Sequence, residues 1–160
     1  MEWKLPPRIK IYEALGCLAD GRLEEVGSEI RVYSSSRTKY YTVSFDESTN
    51  AIMANDNGSY WALYLGYPSV AYLMKIKKLP FDPVYAETLK GIPWKELNKK
   101  HKNNFQKSII EIDQKIEEKG LDIGNFHRFI DRVMLEIASK KYILFGKRQR
   151  PPKEINIEKK

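Results

Sequence analysis

The stretch Tyr40–Met74, YYTVSFDESTNAIMANDNGSYWALYLGYPSVAYLM, contains the clearest alternation and the most apolar helix candidate of the chain. Tyr41, Val43 and Phe45 alternate with polar residues, which is the pattern of a strand with one buried face. After a short polar connection, Ala51–Ala54 is apolar again. The two segments therefore predict a pair of strands joined as a hairpin.

The second half of the stretch predicts a turn and a buried helix. Asn57-Gly58 is the dipeptide that best tolerates the positive φ angles of a type I′ turn. Tyr60–Leu65 fits either a further strand or an aromatic loop, and its periodicity does not decide between them. Pro68 suits the first turn of a helix, and the residues after it are apolar on nearly every side. We therefore predict a central helix that packs on the sheet.

The order of these elements resembles the ββα layout of SWIM-type zinc modules. A strand with a Tyr-x-Val-x-Phe-Asp pattern is followed by a short strand, a turn and a helix within residues 40–74. In that family Cys-x-Cys follows the second strand and Cys-x-His opens the helix. The corresponding positions here are about Ile52 and Ala54, then the residues from Pro68 to Val70, and none of them can bind zinc. The resemblance implies a metal-free relative, held by packing, with nucleic acids or proteins as partners.

Length and composition set the broad class. With 160 residues, the chain fits one domain that can bury a core of its own. The net charge of +7 favours an anionic partner. The single cysteine, Cys17, excludes an internal disulfide and a cysteine-based metal cluster. Because no apolar run has the length of a membrane span and no signal-peptide core begins the chain, we expect a cytoplasmic protein without membrane contact.

Lysine greatly outnumbers arginine, and glutamine and cysteine are scarce. This composition is typical of thermophiles, in which networks of surface ion pairs are favourable at high temperature. An AT-rich genome also enriches lysine and isoleucine, so both explanations stay open.

Helix and strand signals also precede the central stretch. Pro7–Asp20 predicts an N-terminal helix that Gly21 ends, with Arg8, Lys10 and Glu13 facing outward. Two short strands are predicted between this helix and the central stretch. They cover residues 22–26 and 30–33.

The C-terminal half is predicted to be helical. Asp82-Pro83 and Pro93-Trp94 each begin a short helix. Two amphipathic helices follow, at about 105–119 and 125–139, and their short connection predicts an antiparallel hairpin. Beyond Tyr142–Phe145, which we expect to dock on the core, basic residues and a diproline predict a flexible tail.

Together these signals predict an α+β protein. It has an N-terminal helix, a small antiparallel meander, a buried central helix and a C-terminal helical hairpin. The globular domain covers residues 1–145 and the basic tail residues 146–160.

The lysine-rich segment around Trp94 and the basic tail predict a non-enzymatic nucleic-acid-binding surface. Lysine and arginine bind phosphates, and an exposed aromatic ring stacks on bases. A run of charge is also the ordinary appearance of a solvated surface, and this interpretation stays open. The candidate residues are Trp94, Lys95, Lys99, Lys100, Lys102, Lys107, Lys147, Arg148 and Arg150.

Aromatic residues beside the predicted turn support an alternative function, which is a surface for a protein partner or for assembly. Aromatic side chains at this position could also stack on bases or line a pocket. The same rings would also be expected at the rim of the core. The candidate residues are Asn57, Tyr60, Trp61, Tyr64 and Tyr67.

Catalytic motifs are not recognisable in the sequence. The polar cluster Asn55–Ser59 could bind a ligand or hold a catalytic acid at Asp56, but turn chemistry accounts for all five residues. His127 and Asp131 lie one helical turn apart and predict a surface pair. We therefore expect no catalytic residues, no metal and no cofactor, and an enzyme that acts around Asp56 is the third hypothesis.

Overall fold

A computed structural model describes residues 1–154, which form six α-helices, a π-helical turn and a five-stranded sheet. The strands are β1 (Leu23–Val26), β2 (Glu29–Tyr33), β3 (Tyr40–Asp46), β4 (Ala51–Ala54) and β5 (Ile143–Leu144). The helices are α1 (Ile9–Ala19), α2 (Tyr67–Lys75), α3 (Pro83–Thr88), α4 (Trp94–Lys100), α5 (Phe105–Glu118) and α6 (Ile123–Lys140). The π-helical turn is Gly58–Ala62. This architecture confirms the predicted α+β class.

The sheet has the strand order β1-β2-β3-β4-β5. The first four strands form the predicted antiparallel meander, with Val32 opposite Tyr41 and Phe45 opposite Ile52. β5 then pairs with β4 in parallel, with Ile52 opposite Leu144. The sheet is therefore mixed, which the sequence pattern did not predict because β5 is only two residues long and its partner is far away in the chain.

Local signals fix the starts of several helices. The Asp82 carboxylate accepts a hydrogen bond from Val84 N at 2.9 Å at the start of α3, and Asp122 accepts one from Asn125 N at 3.0 Å at the start of α6. Such caps pair amide groups that would otherwise lack a partner in the helix. Within residues 1–154, no helix has the length and apolar character needed to cross a membrane.

The core is centred on α1, which packs against α2, α3, α5 and α6. Its residues from Ile11 to Cys17 are all buried. The predicted outward positions of Lys10 and Glu13 are therefore wrong. The side chain of Lys10 is only 13 % exposed and the side chain of Glu13 only 6 %. A helix that is covered on every side can hold charged residues only where they meet each other or a cavity.

The predicted central helix, α2, is buried as expected. Leu73 is completely buried and Met74 is 2 % exposed. The helix lies against β3 and β4 on one side and α1 on another. The sheet and α1 thus enclose it.

The predicted type I′ turn at Asn57-Gly58 is wrong. Asn57 has φ −60° and ψ −46° and leads directly into the π-helical turn, so Tyr60 begins neither a strand nor a loop. Gly58 is needed for space instead, since a Cβ at this position would lie 2.3 Å from Cε1 of Tyr64. The close approach of the Tyr64 ring, rather than a positive φ, explains the glycine.

The C-terminal helices α5 and α6 contact each other across a short connection. His127 Nε2 of α6 lies 2.7 Å from Asp113 Oδ2 of α5. The two residues are about equally far from the connection between the helices, as expected for an antiparallel hairpin. The predicted pair of His127 with Asp131 is wrong because Asp131 forms an ion pair with Arg8 of the N-terminal region.

The residues that follow β5 run along the surface without regular secondary structure. We call residues 147–154 the C-terminal strap. The guanidinium carbon atoms of Arg148 and Arg150 lie 5.4 and 5.9 Å from the ring centroid of Tyr60, and Glu154 forms an ion pair with Lys95. The rest of the predicted tail, residues 155–160, lies outside the described residues, and the flexibility of the tail stays a prediction.

Candidate functional site

A cavity of about 180 Å³ opens between the N-terminal half of α1, the loop before β3, the start of the π-helical turn and α4. Most of its lining side chains are polar or charged, although several of them are buried. Burial of charge is unfavourable unless the charge meets a partner, so a polar cavity of this kind is a candidate binding site. We call it the central cavity.

α1 supplies a buried ion pair to the central cavity. Lys10 Nζ donates a hydrogen bond to Glu13 Oε2 at 3.0 Å, and it also lies 4.8 Å from the centre of the Phe105 ring. Burial by itself lowers the pKa of Lys10, but its electrostatic interactions with Glu13, Tyr64 and Asp56 and its hydrogen bond to Glu13 together outweigh burial, so the pKa is raised overall. Lys10 therefore contributes a positive charge to the wall of the cavity at neutral pH.

Arg22 is the largest fully buried side chain of the described residues, with 1 % exposure. Gly21, with φ +66°, turns the chain sharply after α1 and places Arg22 at the entry to β1. Its Nε donates to Asp20 at 3.2 Å and its Nη1 donates to the carbonyl oxygen of Tyr33 at 2.8 Å. Its Nη2 has no hydrogen-bond partner within residues 1–154.

Two tyrosines lie between the cationic groups of the cavity. The guanidinium carbon of Arg22 is 5.8 Å from the centre of the Tyr67 ring, and Lys39 Nζ is 5.4 Å from that of Tyr41. The two rings meet edge to face, with centroids 6.2 Å apart. Burial raises the pKa of both tyrosines, so both hydroxyl groups keep their protons and can donate hydrogen bonds.

Asp56 faces the cavity from the start of the π-helical turn and is 5 % exposed. Ser59 Oγ donates to Asp56 Oδ1 at 2.6 Å, and the Ser59 amide donates to Oδ2 at 3.3 Å. Burial raises the pKa of Asp56 to about 6, although these hydrogen bonds and the charge of Lys10 oppose the shift. The carboxyl group can therefore gain or lose a proton near neutral pH, which is common at functional sites.

α4 forms the remaining wall with Trp94 and Asn98, which are 2 % and 8 % exposed. Asn98 Oδ1 and Trp94 Nε1 have no hydrogen-bond partner within the described part of the chain. Trp94 Nε1 packs against Gly16, where a Cβ would lie only 3.0 Å away. The cavity thus combines a buried cationic donor, on Arg22, and a buried acceptor, on Asn98, that have no partner in residues 1–154.

Lys39 and Lys95 line the central cavity where it is least buried, since Lys39 is half-buried and Lys95 is exposed, and we call this part the mouth. Partial burial lowers the pKa of Lys39; the negative charge of Glu154 opposes this shift, and the positive charge of Lys95 adds to it. The cavity therefore carries four cationic side chains against two carboxylates, those of Glu13 and Asp56. This balance favours a small anion over a cation.

The predicted nucleic-acid residues do not form one exposed surface with Trp94 at its centre. Trp94 is buried, so it does not provide the exposed ring on which its predicted stacking on bases depends. Two lysines already have partners, since Lys100 pairs with Glu111 at 2.9 Å and Lys95 pairs with Glu154. The remaining candidates are exposed on α4, α5, their connection and the strap. They are Lys99, Lys102, Lys107, Lys147, Arg148 and Arg150.

The predicted partner surface is divided by the fold. Trp61 is 66 % exposed and Asn57 is exposed, whereas Tyr60 and Tyr64 are half-buried. Tyr67 lines the central cavity instead. The aromatic residues therefore leave Trp61 as the one strongly exposed ring among the five predicted positions.

Cys17 is completely buried in α1, and burial raises the pKa of its thiol to about 12. The thiolate is the reactive form of cysteine, so this residue is a core residue rather than a nucleophile. Within residues 1–154, no three side chains of the histidine, cysteine, aspartate and glutamate types meet in a way that could hold a metal ion.

Sequence reasoning missed Lys10, Glu13, Arg22, Lys39 and Asn98 as members of one site. They come from α1, the entry to β1, the loop before β3, and α4, so no local motif joins them. One sequence signal does point to the site, because Asn55–Ser59 is an uninterrupted run of polar residues and glycine. Its member Asp56 does line the cavity.

Comparisons with known proteins give one match. A protein-family model described as "Uncharacterised conserved protein UCP014422" matches residues 3–143, a range that includes every residue lining the central cavity. No curated protein and no solved structure gives a significant match. Because the matched range covers most of the chain, the protein belongs to the family described as uncharacterised conserved protein UCP014422.

Proposed function

We propose that this protein binds a small anionic molecule in the central cavity. The observation that carries the proposal is the buried guanidinium of Arg22, whose Nη2 faces no acceptor within residues 1–154. A buried donor without a partner costs roughly 1–3 kcal/mol, and more when it is charged. A bound anion would satisfy this donor and offset the cost.

The other walls of the cavity support the same ligand chemistry. Arginine binds carboxylate and phosphate groups with its planar fork, and Lys10 and Lys39 add positive charge nearby. Asn98 Oδ1 is a buried acceptor, so the ligand should also carry a donor such as a hydroxyl or amino group. The volume of about 180 Å³ suits a small molecule rather than a polymer.

Isothermal titration calorimetry with inorganic phosphate and with acetate tests the proposal. The two anions represent the two ligand groups that arginine recognises best. The variant Lys39→Gln removes one charge from the mouth of the cavity, and Lys99→Gln removes the same charge from an exposed position of α4 outside it. The pair separates a specific site from general attraction to a basic protein.

We expect at least one of the two anions to bind with a stoichiometry of one. Lys39→Gln should weaken this binding about tenfold, the effect of losing one charge-assisted hydrogen bond. Lys99→Gln should leave the binding unchanged. The absence of binding by both anions, or equal losses in the two variants, would contradict the proposal.

A second candidate function is the nucleic-acid binding expected from the sequence. The ion pair of Glu154 with Lys95 favours it, because this contact brings the basic strap next to α4. Lys99 is exposed one helical turn after Lys95 in α4, so it lies on the same face of the helix as the contact with the strap. Binding of this kind would depend on surface charge and not on Arg22, so the two candidates can be distinguished.

A further inference from the structure

The C-terminal strap joins the π-helical turn to α4, and both elements contribute residues to the wall of the central cavity. At its beginning, Arg148 donates a hydrogen bond to the carbonyl oxygen of Tyr60, in the π-helical turn whose first residues line the cavity. At its end, Glu154 forms an ion pair with Lys95, a residue of α4 that lines the cavity. Pro151 and Pro152 lie between the two anchors and stiffen an extended chain.

Glu154 brings a carboxylate to the two lysines at the mouth. The hydrogen bond and charge of Lys95 lower the pKa of Glu154, and the positive charge of Lys39 and a hydrogen bond from Thr38 add to this effect. Lys95 and Glu154 are about half exposed, so the contact is reversible. A carboxylate that is attached to the chain thus occupies the position in which an incoming anion would first meet positive charge.

We infer that Lys39 and Lys95 form an anion subsite at the mouth of the central cavity, and that Glu154 occupies this subsite as an internal competitor. This inference rests on the proposed function, since it names the regulation of the same site. The ligand's carboxylate or phosphate group displaces Glu154, and the strap then leaves the mouth. The family match ends at residue 143, so the strap lies outside the matched range while the cavity lies within it.

Two substitutions in the full chain separate this competition from general electrostatics. Glu154→Gln removes the competing carboxylate, and Arg148→Gln removes an anchor of the strap at Tyr60. The second change makes the protein less positive, which by itself would weaken the binding of an anion. Release of the strap instead predicts that the variant binds the anion more tightly. Glu118→Gln, at the exposed end of α5, is the matched control for the charge change at Glu154.

The readout is the affinity for inorganic phosphate, and for acetate, by isothermal titration calorimetry. We expect Glu154→Gln and Arg148→Gln each to tighten binding about two- to fivefold, which is the range of a partly exposed ion pair. Glu118→Gln should have no effect. Equal affinities in wild type and both strap variants would overturn the competition and leave the proposed function standing.

A second readout follows the strap itself. Trypsin cleaves after arginine and lysine, so cleavage after Arg148 and Lys153 reports how often the strap is free. Saturating phosphate should speed this cleavage in the wild type and change it little in Glu154→Gln. Unchanged cleavage in the wild type with bound phosphate would overturn the inference, and failure of both anions to bind wild type and both variants would reject the proposed function together with it.

Discussion

Gly66 and Asp56 are in direct contact: a Cβ placed on Gly66 would lie 2.0 Å from Asp56 Oδ2. Gly66 precedes α2 with φ −73° and ψ 166°, a backbone conformation that any residue adopts. The glycine is therefore required by the carboxylate and not by its own backbone. The contact ties the position of Asp56 in the central cavity to the start of the buried helix α2.

The first prediction concerns this contact. Gly66→Ala should lower the free energy of unfolding by roughly 1–3 kcal/mol, the usual cost of overpacking in a well-packed interior. Denaturant titration measures the change. In the background Asp56→Ala the same substitution should cost much less, because the clashing carboxylate is gone. Equal costs in both backgrounds would show that Asp56 and Gly66 are not in contact.

The second prediction is a pH dependence that originates from Asp56. The pKa of Asp56 is raised to about 6 in the folded protein, above its ordinary value of 3.8, so the folded state holds this proton more tightly than the unfolded state. The stability that protonated Asp56 contributes is therefore present below about pH 4 and is lost as the pH rises to about 6.

Asp56→Asn should remove this loss because the amide does not ionise and still accepts a hydrogen bond from Ser59. The stability of the variant relative to wild type should increase between about pH 4 and 6, by an amount on the order of 2–3 kcal/mol. Urea unfolding at several pH values provides the comparison. A difference that does not change across this range would contradict the raised pKa.

The third prediction compares two leucines. Leu73 in α2 is completely buried, whereas Leu135 in α6 is 70 % exposed. Leu73→Ala should cost about 2–5 kcal/mol, the range for a large-to-small change in a core. Leu135→Ala should change stability by no more than about 0.5 kcal/mol. Thermal and urea unfolding of the two variants test the placement of α2, and similar costs for both would disprove it.

The fourth prediction addresses the second candidate function. If nucleic acid binds the surface of α4 and its connection to α5, replacing Lys99, Lys100 and Lys102 together with glutamate should abolish binding, because each lysine neutralises phosphate charge. Wild-type affinity should fall steeply with salt and depend little on base sequence. Labelled single- and double-stranded oligonucleotides titrated at low and moderate salt provide the measurement.

Trp94→Phe serves as a control in this titration. Trp94 is buried, so the substitution should leave oligonucleotide binding unchanged, although it replaces the indole that the sequence suggested for stacking with a smaller ring. Weaker binding by this variant at unchanged stability would restore the stacking role. Absence of binding by the wild type at low salt would reject the second candidate.

The sequence determined those parts of the fold that depend on local patterns. The alternation of Tyr41, Val43 and Phe45 predicted β3, and Asp82-Pro83 predicted the start of α3. Both signals are local, because the alternation of a strand and the capping of a helix depend only on residues a few positions apart. The near-complete apolar character of α2 likewise predicted its burial.

Only the tertiary structure decided the central cavity. Lys10 and Glu13 on a short helix fit an exposed surface equally well, and they are buried because other helices cover α1. No sequence pattern around Arg22 predicts that its side chain is buried. The turn at Gly21 and the pairing of β1 with β2 enclose it. Burial of a charge depends on which elements pack around it, so residues that are distant in the chain became one site only in the folded protein.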